Sequence, residues 1–158
     1  MIVQSDYTIR DVRISLCPSA NEIMEMDFLC FTSPWNEKDY QEMQKQHSFN
    51  NWLLKISDVC SLGFLVFQSI PPELEILRLA VHPDWRKQGL ARFMLTHLEK
   101  YAKSDKIDSI WLEVHEDNKT AISLYNKLSY KEIGRRKNYF RNPLGDALLF
   151  KKLLKYDV

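Results

Sequence analysis

The stretch of this chain best suited to chemistry runs Leu79-Ala80-Val81-His82-Pro83-Asp84-Trp85-Arg86-Lys87-Gln88-Gly89-Leu90-Ala91. An apolar strand gives way to a short basic loop, and one glycine stands where a helix begins. Backbone N–H groups in the first turn of a helix have no partner within it and carry partial positive charge. Gly89 lets a ligand come close to the backbone, and Arg86 and Lys87 add full charge, so the junction suits a pyrophosphate. No Gly-Lys-Ser/Thr follows, which excludes a P-loop, and a single glycine excludes the dinucleotide fingerprint. Taken alone, the same stretch also fits an ordinary strand-to-helix connection. Downstream, Glu113 and His115 share one face of a strand, and Asn118 and Tyr125 fall on the helix after it. His115 reads as an aid to proton transfer, a surface histidine or a ligand contact. His47, His82 and His97 lack ligand spacing, so no metal site is expected.

These groups need a scaffold, and the hydrophobic periodicity supplies one. Tyr7–Leu16 reads as a strand. Ser19-x-x-Glu22 is a capping-box pattern before the apolar run Ile23–Phe31, a helix. Pro34 interrupts it, and Asn36 caps a second short helix over Glu37–Lys45. Trp52–Ile56 and Gly63–Ile70 are short strands, and Pro71-Pro72 ends the second. Leu74–Val81 is a near-continuous apolar run broken by Glu75 and Arg78, as in a strand covered on both faces. From Gly89, Leu90, Met94, Leu98 and Tyr101 recur at helical spacing. In Ile107–His115, Ile110, Leu112 and Val114 face one way while Trp111, Glu113 and His115 face the other. Asn118 caps a helix with the stripe Ala121, Ile122, Tyr125 and Leu128. Lys131–Lys137 and Ala147–Leu153 finish as strands, joined by a loop holding Asn142-Pro143-Leu144-Gly145. The order β-α-α-β-β-β-α-β-α-β-β predicts a single α/β domain over residues 1–158, with one mixed sheet flanked by helices.

Composition narrows the function. A formal charge of +1 argues against nucleic acid as the main partner, since such binding draws on a strong basic excess. Cys17, Cys30 and Cys60 form no C-x-x-C pair, which argues against zinc and reads as reduced thiols in a cytoplasmic protein. Met1–Arg13 holds no long apolar run, so neither a secretory signal nor a membrane span is expected.

Beyond these readings, Arg86-x-x-Gly89-x-Ala91 resembles the Gln/Arg-x-x-Gly-x-Gly/Ala signature of the GNAT superfamily of acetyltransferases. Trp111-Leu112-Glu113-Val114 and Asn118-x-x-Ala121-Ile122-x-Leu124-Tyr125 follow in that superfamily's order and spacing. The first of these is similar to the RimI-type ribosomal-protein-alanine acetyltransferases, as are Arg136-Lys137-Asn138-Tyr139-Phe140 before Asp146-Ala147, and the turn Phe31-Thr32-Ser33-Pro34-Trp35-Asn36-Glu37. The resemblance spans residues 8–153. It implies the GNAT fold, acetyl-CoA as co-substrate, and transfer of acetyl to a protein N-terminal α-amine, that of an alanine on a small-subunit ribosomal protein. It also implies that Leu79, Ala80, Val81, Arg86, Lys87, Gln88, Gly89, Leu90, Ala91, Asn118 and Tyr125 hold the cofactor. Glu113 falls at the family's general base and Tyr125 at its general acid, with a backbone N–H near Val81 for the oxyanion. Trp35, Arg78 and Tyr139 fall on the acceptor side, with Phe140 beside them.

Three departures stand out. Arg78 replaces a small polar residue such as asparagine, Ser129 replaces a usual glycine, and Ala91 takes the place of the commoner second glycine, which the signature allows. Two other functions share these features. One is acetylation of a lysine or small amine; the other is an acyl-CoA-binding module without turnover, against which the presence of both Glu113 and Tyr125 argues.

Overall fold

The structure, a computed structural model, describes residues 11–16 and 18–154. Its elements run β1 (Arg13–Leu16), α1 (Ala20–Cys30), α2 (Glu37–Gln44), β2 (Phe49–Ser57), β3 (Cys60–Ile70), β4 (Glu73–Val81), α3 (Leu90–Ser104), β5 (Ser109–His115), α4 (Lys119–Lys127), β6 (Lys131–Arg141) and β7 (Leu144–Leu153). The expected order of elements is found. Tyr7–Arg10 of the first expected strand, and Cys17, fall outside the described residues. The largest difference lies near the end. β6 and β7 continue through most of the expected loop and close at Asn142-Pro143, because the two strands pair antiparallel from Lys131↔Lys151 to Arg141↔Leu144.

The strands form one sheet in the order β1-β2-β3-β4-β5-β7-β6. Every neighbouring pair is antiparallel except β4 and β5. A parallel pair needs a crossover, and α3 supplies it. Its stripe of Leu90, Met94, Leu95, Leu98 and Ala102 packs with Tyr125 of α4 onto Leu65, Phe67, Leu74, Ile76, Ile110 and Leu112. Ile23, Met26, Tyr40 and Met43 of α1 and α2 cover the opposite face, over Leu53, Phe64 and Val66. Both of these short helices begin with a capping box, Ser19 with Glu22 and Asn36 with Asp39. Each box satisfies two orphan backbone donors where chain length alone would leave the helix marginal.

Two irregularities shape the centre. Between β3 and β4 the register jumps from Phe67↔Ile76 to Val66↔Arg78, so Leu77 is an extra residue. This bulge shifts the phase of β4. Leu74 and Ile76 face the α3 side, as do Leu79 and Val81 beyond the bulge, while Leu77 and Ala80 face α1 and α2. The pairing of β4 with β5 runs only from Glu73↔Ser109 to Ile76↔Leu112. Past that point the strands part, leaving Leu77–Val81 and Glu113–His115 on either side of a gap.

Candidate active site

The parting between β4 and β5 has the expected cofactor strand Leu79–Val81 on one side and Glu113 on the other. His82 donates its N–H to the Leu62 carbonyl on β3 at 2.8 Å. Backbone groups alternate sides along a strand, so the N–H groups of Val81 and Leu79 point the other way, into the parting. The Val81 carbonyl points there too and accepts a 3.1 Å hydrogen bond from Arg86 Nε, which fastens the basic loop to the end of β4. Arg86, Lys87, Gln88 and Gly89 are exposed, Ala91 is half-buried, and Leu90 turns into the core. Gly89 has φ of 80° and caps α3 without any side-chain hydrogen bond, so the first N–H groups of α3 stay open. Nothing lies within 4 Å of where a Gly89 Cβ would stand, so the glycine answers the left-handed backbone and leaves clear space beside it. An uncapped helix start with adjacent guanidinium and ammonium groups fits an anionic pyrophosphate. Asn118 is exposed and caps α4, accepting from the Ala121 N–H at 3.1 Å.

Glu113 and Tyr125 stand on opposite faces of the sheet beside this parting. The Tyr125 ring lies in the core under α3 and α4, 5.7 Å from the Tyr130 ring and 6.0 Å from that of Phe150. Burial pushes its phenol well above the ordinary range, so it keeps its proton at any physiological pH. Glu113 points to the α1–α2 face, only 13% exposed, with Oε1 2.9 Å from Arg136 Nε. The Arg136 guanidinium also lies 5.5 Å from the Tyr139 ring centroid. The Glu113 carboxylate beside Tyr139, and then burial, push that phenol up. His115 stacks on Phe140 with centroids 5.2 Å apart, and its Nδ1 accepts from the Asp117 N–H at 3.1 Å.

On the same face Arg78 meets a dense set of partners. Asp27 of α1 is fully buried, and its Oδ1 lies 2.6 Å from an Arg78 terminal nitrogen. The same nitrogen donates to the Ser33 carbonyl at 3.1 Å. Asp27 Oδ2 accepts from the Tyr40 hydroxyl at 2.6 Å and from the Trp35 N–H at 2.9 Å. The Arg78 guanidinium lies between two aromatic rings, 4.1 Å from the Phe31 centroid and 4.7 Å from that of Trp35. Arg78 therefore holds the turn from Phe31 to Trp35 against β4, and its charge is turned toward Asp27. Trp35 packs against the cluster under α1 and α2, and Tyr139 lies beside Glu113.

Residues 20–130 match the acetyltransferase (GNAT) family. The chain belongs to this family. It is an acetyl-CoA-dependent N-acetyltransferase. Among its relatives, the [ribosomal protein bS18]-alanine N-acetyltransferase of Escherichia coli strain K12 is 33% identical over 118 residues, covering 73% of this chain and 78% of that one. A protein of the same name from Haemophilus ducreyi is 29% identical over 126 residues, 79% of this chain and 85% of its own. The crystal structure of the ribosomal-protein-S18-alanine N-acetyltransferase from Escherichia coli superposes with a TM-score of 0.84 at 26% identity, covering 93% of this chain and 96% of that chain.

Two residues beside the candidate site, Asp27 and Arg136, are not evident from sequence for the contacts they make. Asp27 lies four residues after Ile23 on the buried face of α1, and a charge on an apolar stripe is itself a sign of a buried partner. Arg136 was visible only as part of a motif; its pairing with Glu113 depends on how β6, β7 and β5 stack, which no local pattern reveals. Among the described residues no His, Cys, Asp and Glu group could hold a metal ion, and no helix is long and apolar enough to cross a membrane.

Proposed function

We propose that this acetyltransferase modifies a protein N-terminal α-amine, that of the N-terminal alanine of a small-subunit ribosomal protein, as the names of its relatives state for them. The observation that carries the reading is the placement of Glu113 and Tyr125 on opposite faces of the sheet, beside a parting that exposes strand N–H groups. Acetyl-CoA, when bound, supplies an activated thioester. Leu79, Ala80 and Val81 line its path, Arg86–Ala91 hold its pyrophosphate, and Asn118 flanks it. Glu113 takes the proton from the acceptor amine, directly or through water. An α-amine with a pKa of about 8 needs only modest help at neutral pH, whereas a lysine near 10.4 needs far more. The Val81 N–H, aimed into the parting, donates to the oxygen that gains charge. Tyr125 keeps its proton through burial and presents it on the sulfur side.

Trp35 and Tyr139 flank the acceptor, and Arg78 acts on it through the turn it holds. Residues 1–158 work as a single domain in the cytoplasm, with no direct role for nucleic acid or membrane. The test is incubation with acetyl-CoA and a panel of peptides, read by mass spectrometry. Acetylation of free N-termini, alanine foremost, is the expected result. Peptides with a blocked N-terminus and a free lysine reacting as fast as unblocked ones would overturn it.

A further inference from the structure

A groove of about 400 Å³ adjoins the acceptor face, lined by Gln68, Pro72, Glu73, Glu75 and Trp111 among others. It opens on the sheet face that carries Glu113. Trp111 lies two residues before Glu113 on β5, so its side chain stands on the same face about 7 Å away. Glu75 is paired with Trp111 across the seam of β4 and β5. The charges along this line do not balance. Arg136 is paired with Glu113 at 2.9 Å, and Lys151 with Glu73 at 2.7 Å. Glu75 is half-buried, and among the described residues its carboxylate makes no hydrogen bond or ion pair. A half-buried carboxylate with no hydrogen bond or ion pair of its own, reached only at longer range by the Arg136 charge that Glu113 already holds, and next to an indole, is the complement of an organic cation. A guanidinium or ammonium gains charge-assisted hydrogen bonds from the first and ring-face attraction from the second.

We propose that Glu75 and Trp111 form a specificity subsite that takes a basic side chain from the second or third residue of the acceptor. The proposal rests on the reading of the acceptor as a protein N-terminus. The thioester end of the site lies at Leu79–Val81 and the amine must reach Glu113, so Glu75 stands further back along the sheet than the reacting atoms. An extended acceptor advances roughly 3.3 Å per residue, which brings its second or third residue over Trp111 and Glu75. Burial, and then the charge of Glu113, push the Glu75 carboxyl up, with Arg136 opposing. A cation from the acceptor relieves both causes.

The test compares kcat/KM for peptides that begin with alanine and carry one arginine at position two, three or six, against a peptide with alanine at all three. Arginine at position two or three is expected to raise kcat/KM by about tenfold or more through a lower KM, an effect of one charge-assisted pair. Glu75→Gln should collapse that ratio. Glu75→Lys should shift the preference to an acidic residue. Glu25→Gln, on the exposed side of α1, should leave the ratio as it was. An equal gain from arginine at position six would mean general steering by charge and would overturn the subsite, as would a ratio near one in the unaltered enzyme. If none of the N-terminal peptides is acetylated while lysine peptides are, the α-amine reading itself falls and the subsite falls with it. Acetyl-CoA affinity measured on each variant confirms that it is folded.

Discussion

Replacing Asp27 with asparagine tests the cluster that ties α1, α2 and β4 together. The carboxylate is fully buried and takes hydrogen bonds from Tyr40, Trp35 and Arg78. Asparagine keeps the shape but removes the charge, and its amide nitrogen must face a donor. Arg78, 9% exposed, would then be a buried cation without a counter-charge, and its Nε already lacks a partner. Removing one member of a buried pair costs about 3–5 kcal/mol, against a total stability of roughly 5–15 kcal/mol for a domain. At roughly 2–4 °C per kcal/mol for a chain of this size, the melting temperature should fall by about 10 °C. Urea denaturation of Asp27→Asn, Arg78→Met and the double variant completes the cycle. The double variant should lose clearly less than the sum of the two, because no charge is then left unpaired. A loss below about 1 kcal/mol in Asp27→Asn, or strict additivity, would refute the argument that the pair is held by mutual neutralisation.

Glu113→Gln should lower turnover by a factor on the order of 10² with acetyl-CoA affinity unchanged, and the deficit should shrink as pH rises and the amine deprotonates unaided. Tyr125→Phe should also slow thiol release, but raising pH should not restore it; equal rescue of both variants would remove the division of roles. Gly89→Val should weaken acetyl-CoA binding in calorimetry, since φ of 80° costs a branched residue about 1–2 kcal/mol or more and the loop must move. Ser129→Gly should raise stability by about 1 kcal/mol in urea melts, because Ser129 holds φ of 68° where the chain leaves α4. For Glu75 the folded protein favours the protonated carboxyl, so its ionised form opposes folding at neutral pH and the penalty fades as pH falls through the raised range. Glu75→Gln should therefore be more stable than the parent near neutral pH and level with it in acid, and no gap near neutral pH would contradict the shift.

Much of this is legible in the sequence alone. Ser19-x-x-Glu22 marked the start of α1 because a capping box needs only local residues, and the stripe from Leu90 to Tyr101 marked α3 because 3.6-residue periodicity survives any tertiary setting. The bulge also left a trace: the apolar phase runs through Leu74 and Ile76, then resumes at Leu79 and Val81. The same string of letters also fits a strand covered on both faces, so the slip is not distinctive by itself. The far end of the β6–β7 pairing is hidden in the sequence because Asn142-Pro143-Leu144-Gly145 has the composition of a loop and the register breaks between Arg136 and Phe140, so no period-2 pattern runs through it. Arg78 shows the limit most clearly. The resemblance places it on the acceptor side, and no local pattern reveals its ion pair with Asp27, 51 residues earlier.

The parting between β4 and β5 also has a mechanical meaning. A pleated sheet resists shear because every displacement stretches a ladder of hydrogen bonds. Beyond Ile76 and Leu112 no strand pairing crosses that line, so the two ladders on either side can spread or close with no backbone bond broken. The load of such a movement falls on the short seam from Glu73↔Ser109 to Ile76↔Leu112, and on the extra residue at Leu77, where twist is already concentrated. The compliance of an otherwise stiff molecule is thus gathered at the reacting edge. Small changes in the girth of what lies there can be met by elastic opening along one line, while the packed layers on both faces keep their side chains in place.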